Sequence, residues 1–352
     1  MPHVPAQPFF STPQQRLALA RQRYFEEGTR PSGLVGENVI QSWSRCVQAR
    51  RDPRERIAFD PVTPSRVHSA LQRSQLMLQA AADDLVQLEQ TLSGTPCTAM
   101  LTDAQGVVVH ATQSAADRGE VLLPLARRIG VNIGEEHIGT GAPGVTIRTG
   151  LPSLVLGGEH FFGHLQVLHC AAAPIRDMRG QLAAVLDLTC EGQPFGFDAA
   201  AIVAMYATTI ENQLLRAESN EHLVVQMQTS PGLFGTHTEG LVGIDARGRI
   251  AWINAAARQL LGTASIPGAG SDALQVFGLD SARLVALARA GTSTSQRLPN
   301  GLNVWLGARL QARDGIAQRV FRTAVAPIAD AAPAPGSGVV ATKRETDRAL
   351  VE

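Results

Sequence analysis

The stretch VLHCAAAPIRDMRGQLAAVLDLTC, residues 167–190, decides the fold. Its polar turn RDMRG separates two apolar runs, a pattern that predicts two antiparallel strands joined as a hairpin. A second hairpin is predicted from CTAMLTD and VVVHAT, which flank a turn at 104–106. Helical patterns lie on both sides of these hairpins, so this part of the chain is predicted to be an α+β domain around an antiparallel sheet.

The flanking helices are predicted from caps and apolar spacing. One begins at Ser11–Pro13 and ends at Gly28, and GENVIQSWSRCVQARR predicts another with Trp43 on its apolar face. A run of almost thirty residues, Thr63–Gly94, carries leucines near a heptad spacing. Its length favours pairing with a second copy of the chain as a homodimer, and packing across its own domain is the alternative. A further helical run is predicted from Asp198 through Gln228.

A second α+β unit follows. GLVGIDARGRIAWINAAARQLLG, residues 240–262, predicts strand, turn, strand and a helix begun near Asn254. VWLGARLQARDG and AQRVFRTAVAPI are predicted to pair as another hairpin. We divide the chain into an N-terminal helical segment (1–62), a first domain with its flanking long helices (63–228), a second domain (232–330) and a linker (331–352).

The overall composition does not indicate a class of binding partner. Lys plus Arg and Asp plus Glu number 31 each, so no overall charge favours nucleic acid or an anionic membrane. The four cysteines, Cys46, Cys97, Cys170 and Cys190, lack any paired spacing and are expected to be reduced thiols. No secretory signal or long apolar run is present. A soluble, cytoplasmic protein without a membrane partner is therefore predicted.

The glycine-rich stretch GVNIGEEHIGTGAPG, residues 130–144, contains no Lys or Arg. It lacks the GxxxxGK motif with a following Ser or Thr that phosphate binding requires, and Glu135 with Glu136 would repel a pyrophosphate. Cys170 follows His169 directly, and neighbours along a strand point to opposite faces, so a nucleophile lacks its base. We predict that this chain is not an enzyme.

His160 and His164 raise the question of a metal, because they lie four residues apart in GEHFFGH. HFFGHLQVL is predicted to be a strand, in which residues four apart are separated by roughly 13 Å, too far to share one ion. No metal or cofactor is predicted. A metal or redox sensor that uses His160, His164 and Cys170 is kept as an alternative.

Several short stretches together resemble the acetoin and dihydroxyacetone catabolism regulators, a family of sigma-54-dependent transcriptional activators. They occur in that family's order: SWSRC (42–46), TDAQG (102–106), GEEHIGTGAPG (134–144), GEHF (158–161), LHCAAAPIRDMRG (168–180), AAVLDLT (183–189) and IENQLL (210–215). The resemblance covers about residues 36–330 and is specific as an ordered set.

The resemblance implies a GAF sensor domain followed by a PAS-like domain. It also implies an AAA+ ATPase and a helix-turn-helix beyond this chain, through which sigma-54 RNA polymerase and DNA would be contacted. The expected function is to sense a small neutral organic effector and control that ATPase, with sensing of a partner protein as the alternative. Relatives have Trp-Ser-Glu where this chain has Ile133–Glu135, a difference that should alter the volume and polarity of the pocket, so the effector need not be acetoin.

In a GAF domain the ligand lies between one sheet face and the segments that cross it, so the resemblance implies that residues 130–144 form a lid. Donors and acceptors on the lid and the opposite strands suit an alcohol, a ketone or a phenol. Strand alternation would keep Phe161 and Phe162 from both facing inward. The candidate ligand-binding residues are Glu135, His137, Thr140, His160, Phe161, Phe162, Cys170 and Asp187.

Overall fold

A computed structural model of the 352-residue chain describes residues 12–112, 119–220, 222–262 and 271–311. Its helices are α1 (Pro13–Arg21), α2 (Glu37–Gln48), α3 (Pro64–Arg73), α4 (Gln75–Leu92), α5 (Leu123–Ala126), α6 (Glu135–Ile138), α7 (Ala142–Thr149), α8 (Ala199–Glu218), α9 (Ala255–Leu261), α10 (Ala273–Phe277) and α11 (Ser281–Ala290). Its strands are β1 (Cys97–Asp103), β2 (Val108–Ala111), β3 (Ser153–Leu156), β4 (Leu168–Arg176), β5 (Leu182–Glu191), β6 (His222–Gln228), β7 (Gly240–Ile244), β8 (Ile250–Ile253), β9 (Thr294–Arg297) and β10 (Asn303–Gln311). In the described part of the chain, no helix has both the length and the apolar character to cross a membrane.

The strands form two five-stranded antiparallel sheets, which confirms the predicted α+β class. The first sheet has the order β2-β1-β5-β4-β3, and both predicted hairpins are present in it, β1 with β2 and β4 with β5. Its outer face packs against α4 and α8. Its inner face packs against α2, α7 and the segments around them. The N-terminal helices therefore share the first unit's core.

The predicted long helix of residues 63–94 is divided in two. Ser74 has a ψ of 1°, outside the helical range, and separates α3 from α4. The apolar stripe of α4, including Met77, Leu85 and Leu88, is buried against the first sheet and α8. The hydroxyl of Thr91 lies 2.9 Å from that of Tyr206 on α8. This is the predicted alternative of packing across its own domain.

The prediction that HFFGHLQVL is a strand is wrong. Residues 157–165 form two 3₁₀ turns joined by bends, and β4 begins only at Leu168. The Arg21 guanidinium of α1 donates to the carbonyl oxygens of Gly158, His160 and Phe161, so these oxygens are engaged outside any strand ladder. Phe161 and Phe162 are consequently both fully buried, contrary to the expected alternation.

The helical run predicted from Asp198 ends at Glu218 rather than Gln228. The remaining residues, 222–228, are instead the central strand β6 of the second sheet, which has the order β8-β7-β6-β10-β9. In the second unit, the predicted strands β7 and β8 and the helix capped by Asn254 are present. β10 pairs with β6 and β9, whereas its predicted partner AQRVFRTAVAPI and the predicted linker lie outside the described residues.

The two units meet through paired polar groups at the end of α8. Arg216 forms an ion pair with the fully buried Glu239, whose other oxygen accepts from Gln226 Nε2 at 2.7 Å. Asn254 donates to Asn212 of α8 at 2.9 Å. Each of these buried groups has a partner, as stable buried polar groups require.

Two of the four cysteines do not match the expected reduced thiols. Cys97 and Cys190 lie directly opposite each other on β1 and β5, with their Cα atoms 4.5 Å apart, and form a disulfide. Antiparallel pairing places their side chains on the same face, which makes the bond sterically accessible. Cys46 and Cys170 are free and buried.

Candidate functional site

Polar side chains lie in the middle of the first sheet's inner face. Thr98 and Thr102 of β1 flank Met100, and Asp187 and Thr189 follow on the neighbouring strand β5. All four polar residues are at most 2% exposed. Because residues two apart on a strand share a face, these side chains point into the same core as Met100. The group is therefore a polar patch enclosed by an otherwise apolar layer.

Three atoms of this patch have no hydrogen-bond partner within the protein: Thr98 Oγ1, Thr102 Oγ1 and Asp187 Oδ1. The other Asp187 oxygen accepts from the Thr189 hydroxyl at 2.6 Å. A buried polar atom without a partner costs about 1–3 kcal/mol. The inner face thus carries three buried groups, each of which can hydrogen-bond to a polar ligand. We call these three side chains the inner-face triplet.

The surroundings of the triplet favour neutral forms. Burial raises the pKa of Asp187 to about 7, partly offset by the Thr189 hydrogen bond. Burial lowers the pKa of His160 to about 4 and raises the pKa of the Cys170 thiol well above its ordinary value. His160 Nε2 lies 3.5 Å from Cys170 Sγ, beside the patch. An imidazole and a thiol that are both neutral at pH 7 suit an uncharged ligand.

Glu135 belongs to a second polar group, which holds α2 against α6. Arg45 donates to its two oxygens through Nε at 2.5 Å and Nη2 at 2.7 Å. Ser42 Oγ donates to the same carboxylate at 2.6 Å and lies 2.8 Å from Thr140 Oγ1. A bidentate arginine pair fixes both position and orientation. Arg45 is therefore engaged within the protein.

The expected lid is part of the packed core. Within residues 130–144 only Glu136 and His137 are exposed. His137 therefore does not join the other candidate residues. The glycines serve close packing: Gly139 has a φ of +64° and lies against Phe162, and a Cβ on Gly144 would meet the Glu135 backbone nitrogen at 2.6 Å. α6 and α7 can thus approach each other only because Gly144 lacks a side chain.

The remaining candidates form the wall beside the patch. Phe161 and Phe162 contact each other edge to face at 5.1 Å, and Phe161 also packs on Phe25. His160 Nδ1 lies 2.9 Å from the Gly157 carbonyl oxygen, which fixes the ring. The structure therefore brings His160, Cys170 and Asp187 together. Among the described residues, no group of three or more His, Cys, Asp or Glu side chains is arranged to hold a metal ion.

Sequence reasoning missed five residues of these two polar groups: Ser42, Arg45, Thr98, Thr102 and Thr189. The threonines had a visible signal, since alternation in CTAMLTD and AAVLDLT puts them on the same side as Met100 and Asp187. Ser42 and Arg45 lie 93 and 90 residues from Glu135 in the chain. No local pattern indicates that contact.

Comparisons with known proteins match the chain to transcriptional activators. The family model described as MimR, N-terminal domain, matches residues 12–210. The propane 2-monooxygenase operon transcriptional activator MimR of Mycolicibacterium smegmatis is 26% identical over 290 residues, 82% of this chain and 46% of that protein. The acetoin catabolism regulatory protein of Cupriavidus necator is 31% identical over 239 residues, 65% of this chain and 35% of that protein. The chain thus spans about half or less of these relatives' lengths.

Among solved structures, a chain of the E. coli DhaR(N)–DhaL complex aligns with a TM-score of 0.48 and 16% identity. The alignment covers 78% of this chain and 99% of that chain.

Proposed function

The chain belongs to the MimR N-terminal domain family, and from this membership we propose that it is the sensory region of a bacterial transcriptional activator. Its first unit acts as a GAF-type sensor, and its second unit is PAS-like. The activator as a whole is of the sigma-54-dependent type, with an ATPase as the controlled part. Its relatives are named for the propane 2-monooxygenase operon and for acetoin catabolism, which favours a small organic signal.

The proposed effector site is the inner face of the first sheet, and the inner-face triplet is the observation that supports it. Asp187 Oδ1 accepts a hydrogen bond from an effector hydroxyl. Thr98 and Thr102 lie roughly 13 Å apart along β1, so only one of their hydroxyls donates to the carbonyl or hydroxyl oxygen of a small effector. The surrounding apolar layer accommodates the hydrocarbon part. A small neutral alcohol, ketone or phenol fits this combination of groups.

Effector binding changes the packing of α6 and α7, which we call the covering layer because they lie over the inner face of the first sheet. Residues 130–144 are almost wholly buried, so an effector reaches the triplet only when α6 and α7 separate from the sheet. A ligand that binds the separated arrangement better shifts the population toward it. That difference in affinity provides the free energy for a signal.

The route to the second unit runs through β5, β4 and α8. α8 packs on the outer face of the same two strands, and its last turns pair with the second unit through Asn212 and Arg216. A shift of α8 against the sheet therefore alters buried contacts of the second unit. The homodimer and the partner-protein alternative stay predictions.

A thermal-shift panel with 2-butanone, 2-butanol, acetoin, phenol and toluene tests the effector class. Toluene matches phenol in shape and lacks the hydroxyl, so it reports binding by apolar contact alone. We expect an oxygen-bearing compound to stabilise the protein by about 2.7 kcal/mol at a concentration one hundred times its Kd, with little effect of toluene. No stabilisation by any oxygen-bearing compound, or equal stabilisation by toluene and phenol, would contradict the proposal.

A further inference from the structure

A cavity lies between the two units, away from the inner face of the first sheet. It has a volume of about 980 Å³, is open on one side, and is lined by the turn after β4, one side of α8, and β8 with the start of α9. Apolar walls come from side chains such as Ala207, Leu215 and Ile253. Volume and lining are typical of sites for small organic ligands.

Two side chains that line this cavity each have a buried hydrogen-bond donor without an acceptor within the protein. The donors are Trp252 Nε1, on a side chain that is 5% exposed, and Nε of the half-buried Arg258. The Trp252 indole lies across Gly243, where a Cβ would meet Nε1 at 2.0 Å. Trp252 therefore fits there only because Gly243 has no side chain. Two unpaired donors on side chains of one cavity wall favour a ligand that presents an acceptor.

The charged side chains around the cavity indicate the net charge of its ligand. Arg176 already donates to the carbonyl oxygens of Gly150 and Gly180, and Asp177 accepts from the backbone of its own turn. Arg179 adds a third cation to the lining. Glu211 accepts from the Arg176 backbone nitrogen at 2.8 Å, and burial raises its pKa. The lining therefore has three guanidinium groups and two carboxyl groups, a net positive charge of one that suits a ligand with a single negative charge.

We propose that this interdomain cavity binds a small monocarboxylate with an apolar body. The carboxylate accepts from Arg258 and Trp252, and the body packs on the apolar side of α8. Because the walls come from both units, an occupant links them directly. This site is separate from the proposed effector site in position and in ligand charge.

Titration with benzoate tests the proposal, with benzamide and benzyl alcohol as neutral matched probes. The readout is the indole ¹H–¹⁵N signals, assigned with Trp252→Phe. Trp43 is an internal control, because its Nε1 already donates to the Glu159 carbonyl oxygen at 2.8 Å. Benzoate should move the Trp252 signal and leave that of Trp43 in place, whereas the neutral probes should have much weaker effects.

Two variants, with one control, test whether the charges of the cavity lining contribute to benzoate binding. Arg258→Met should weaken benzoate binding by about tenfold, the loss expected for a hydrogen bond to a charged group. Arg283→Met, at an exposed position on α11, is the matched control and should bind as the wild type does. Glu211→Gln keeps an acceptor for the Arg176 nitrogen, removes the opposing charge and should tighten binding about threefold.

Four results would overturn the proposal: a Trp252 signal that does not move, equal responses to the three probes, equal affinity of the two arginine variants, and no gain in Glu211→Gln. If Arg258→Met does not fold, Glu211→Gln still tests the proposal, because it removes a negative charge that would repel the carboxylate of the ligand.

Discussion

The inner faces of the two sheets differ, although both sheets are antiparallel and have five strands. The inner face of the second sheet is apolar in every described central position, including Val225, Met227, Val242 and Leu306. The inner face of the first carries the triplet in the same structural position. An apolar face is sufficient to hold the second sheet together, and this contrast supports the proposal that the triplet serves a ligand.

The junction between the units offers a second comparison with the triplet. Glu239 is fully buried there, yet both of its oxygens accept hydrogen bonds from side chains. At this junction the chain supplies partners for its buried carboxylate. The triplet of the first unit lacks them.

The largest expected effect is that of a carboxylate on the second sheet's inner face. Val225→Asp places an unpaired charge where the first sheet tolerates Asp187, and it should destabilise the protein by about 4 kcal/mol or more. Urea denaturation measures the loss. Val86→Asp, at a position 53% exposed, is the control and should change stability by less than about 0.5 kcal/mol. If Val225→Asp and Val86→Asp have the same free energy of unfolding, the two inner faces do not differ in their tolerance of a carboxylate.

Removal of the titratable group on the first inner face should change the pH dependence of stability. Burial raises the pKa of Asp187 from 3.8 to about 7, so between these pH values the folded state keeps a proton that the unfolded chain has lost. Stability from this group is complete below pH 4 and disappears as the pH rises to about 7.

Relative to Asp187→Asn, the wild type should therefore lose at most about 4 kcal/mol over this range. His160 contributes the opposite slope, because its pKa is lowered, but it is present in both proteins and cancels in the comparison. Urea denaturation at a series of pH values gives the two curves. Parallel curves would show that Asp187 ionises freely in the folded protein.

The covering layer of the first inner face is tested at Glu135. Glu135→Gln breaks a buried pair with Arg45, which is itself one-third exposed, and should cost about 2 kcal/mol. The neighbouring Glu136→Gln breaks the exposed ion pair with Arg148 and should cost less than about 0.5 kcal/mol. Chemical denaturation compares the two variants. Equal losses would mean that Glu135 does not hold the layer.

The smallest expected change is that of the double variant Thr98→Val and Thr102→Val. Each substitution removes a buried hydroxyl without a partner and preserves the side-chain shape. Stability should therefore stay within about 1 kcal/mol of the wild type, or rise. A loss of several kcal/mol in urea denaturation would show that these hydroxyls support the fold.

Local pattern was sufficient for part of this architecture. The hairpins of the first sheet follow from apolar runs around turns, and the helix after β8 follows from its cap Asn254. The segment 222–228 was misassigned because a short apolar run directly after a long helix has no period of its own. Its identity as a strand depends on pairing with β7 and β10, which are distant in sequence.

The site was less predictable for the same reason. Alternation in β1 and β5 is sufficient to group Thr98, Thr102 and Asp187. The turns at 157–165 depend on Arg21, which lies 137–140 residues earlier in the chain. The position of Glu135 depends on Arg45 of another helix. Such contacts are set by tertiary packing, which residue spacing does not reveal.

The central claim is that the triplet is retained for an effector, and the double variant Thr98→Val and Thr102→Val tests it most directly. The measurement is the Kd of the alcohol, ketone or phenol that stabilises the wild type most, with Thr294→Val on the second sheet as the control. We predict unchanged stability with affinity lowered at least about tenfold in the double variant, and wild-type affinity in the control. Equal affinity in all three proteins would contradict the account.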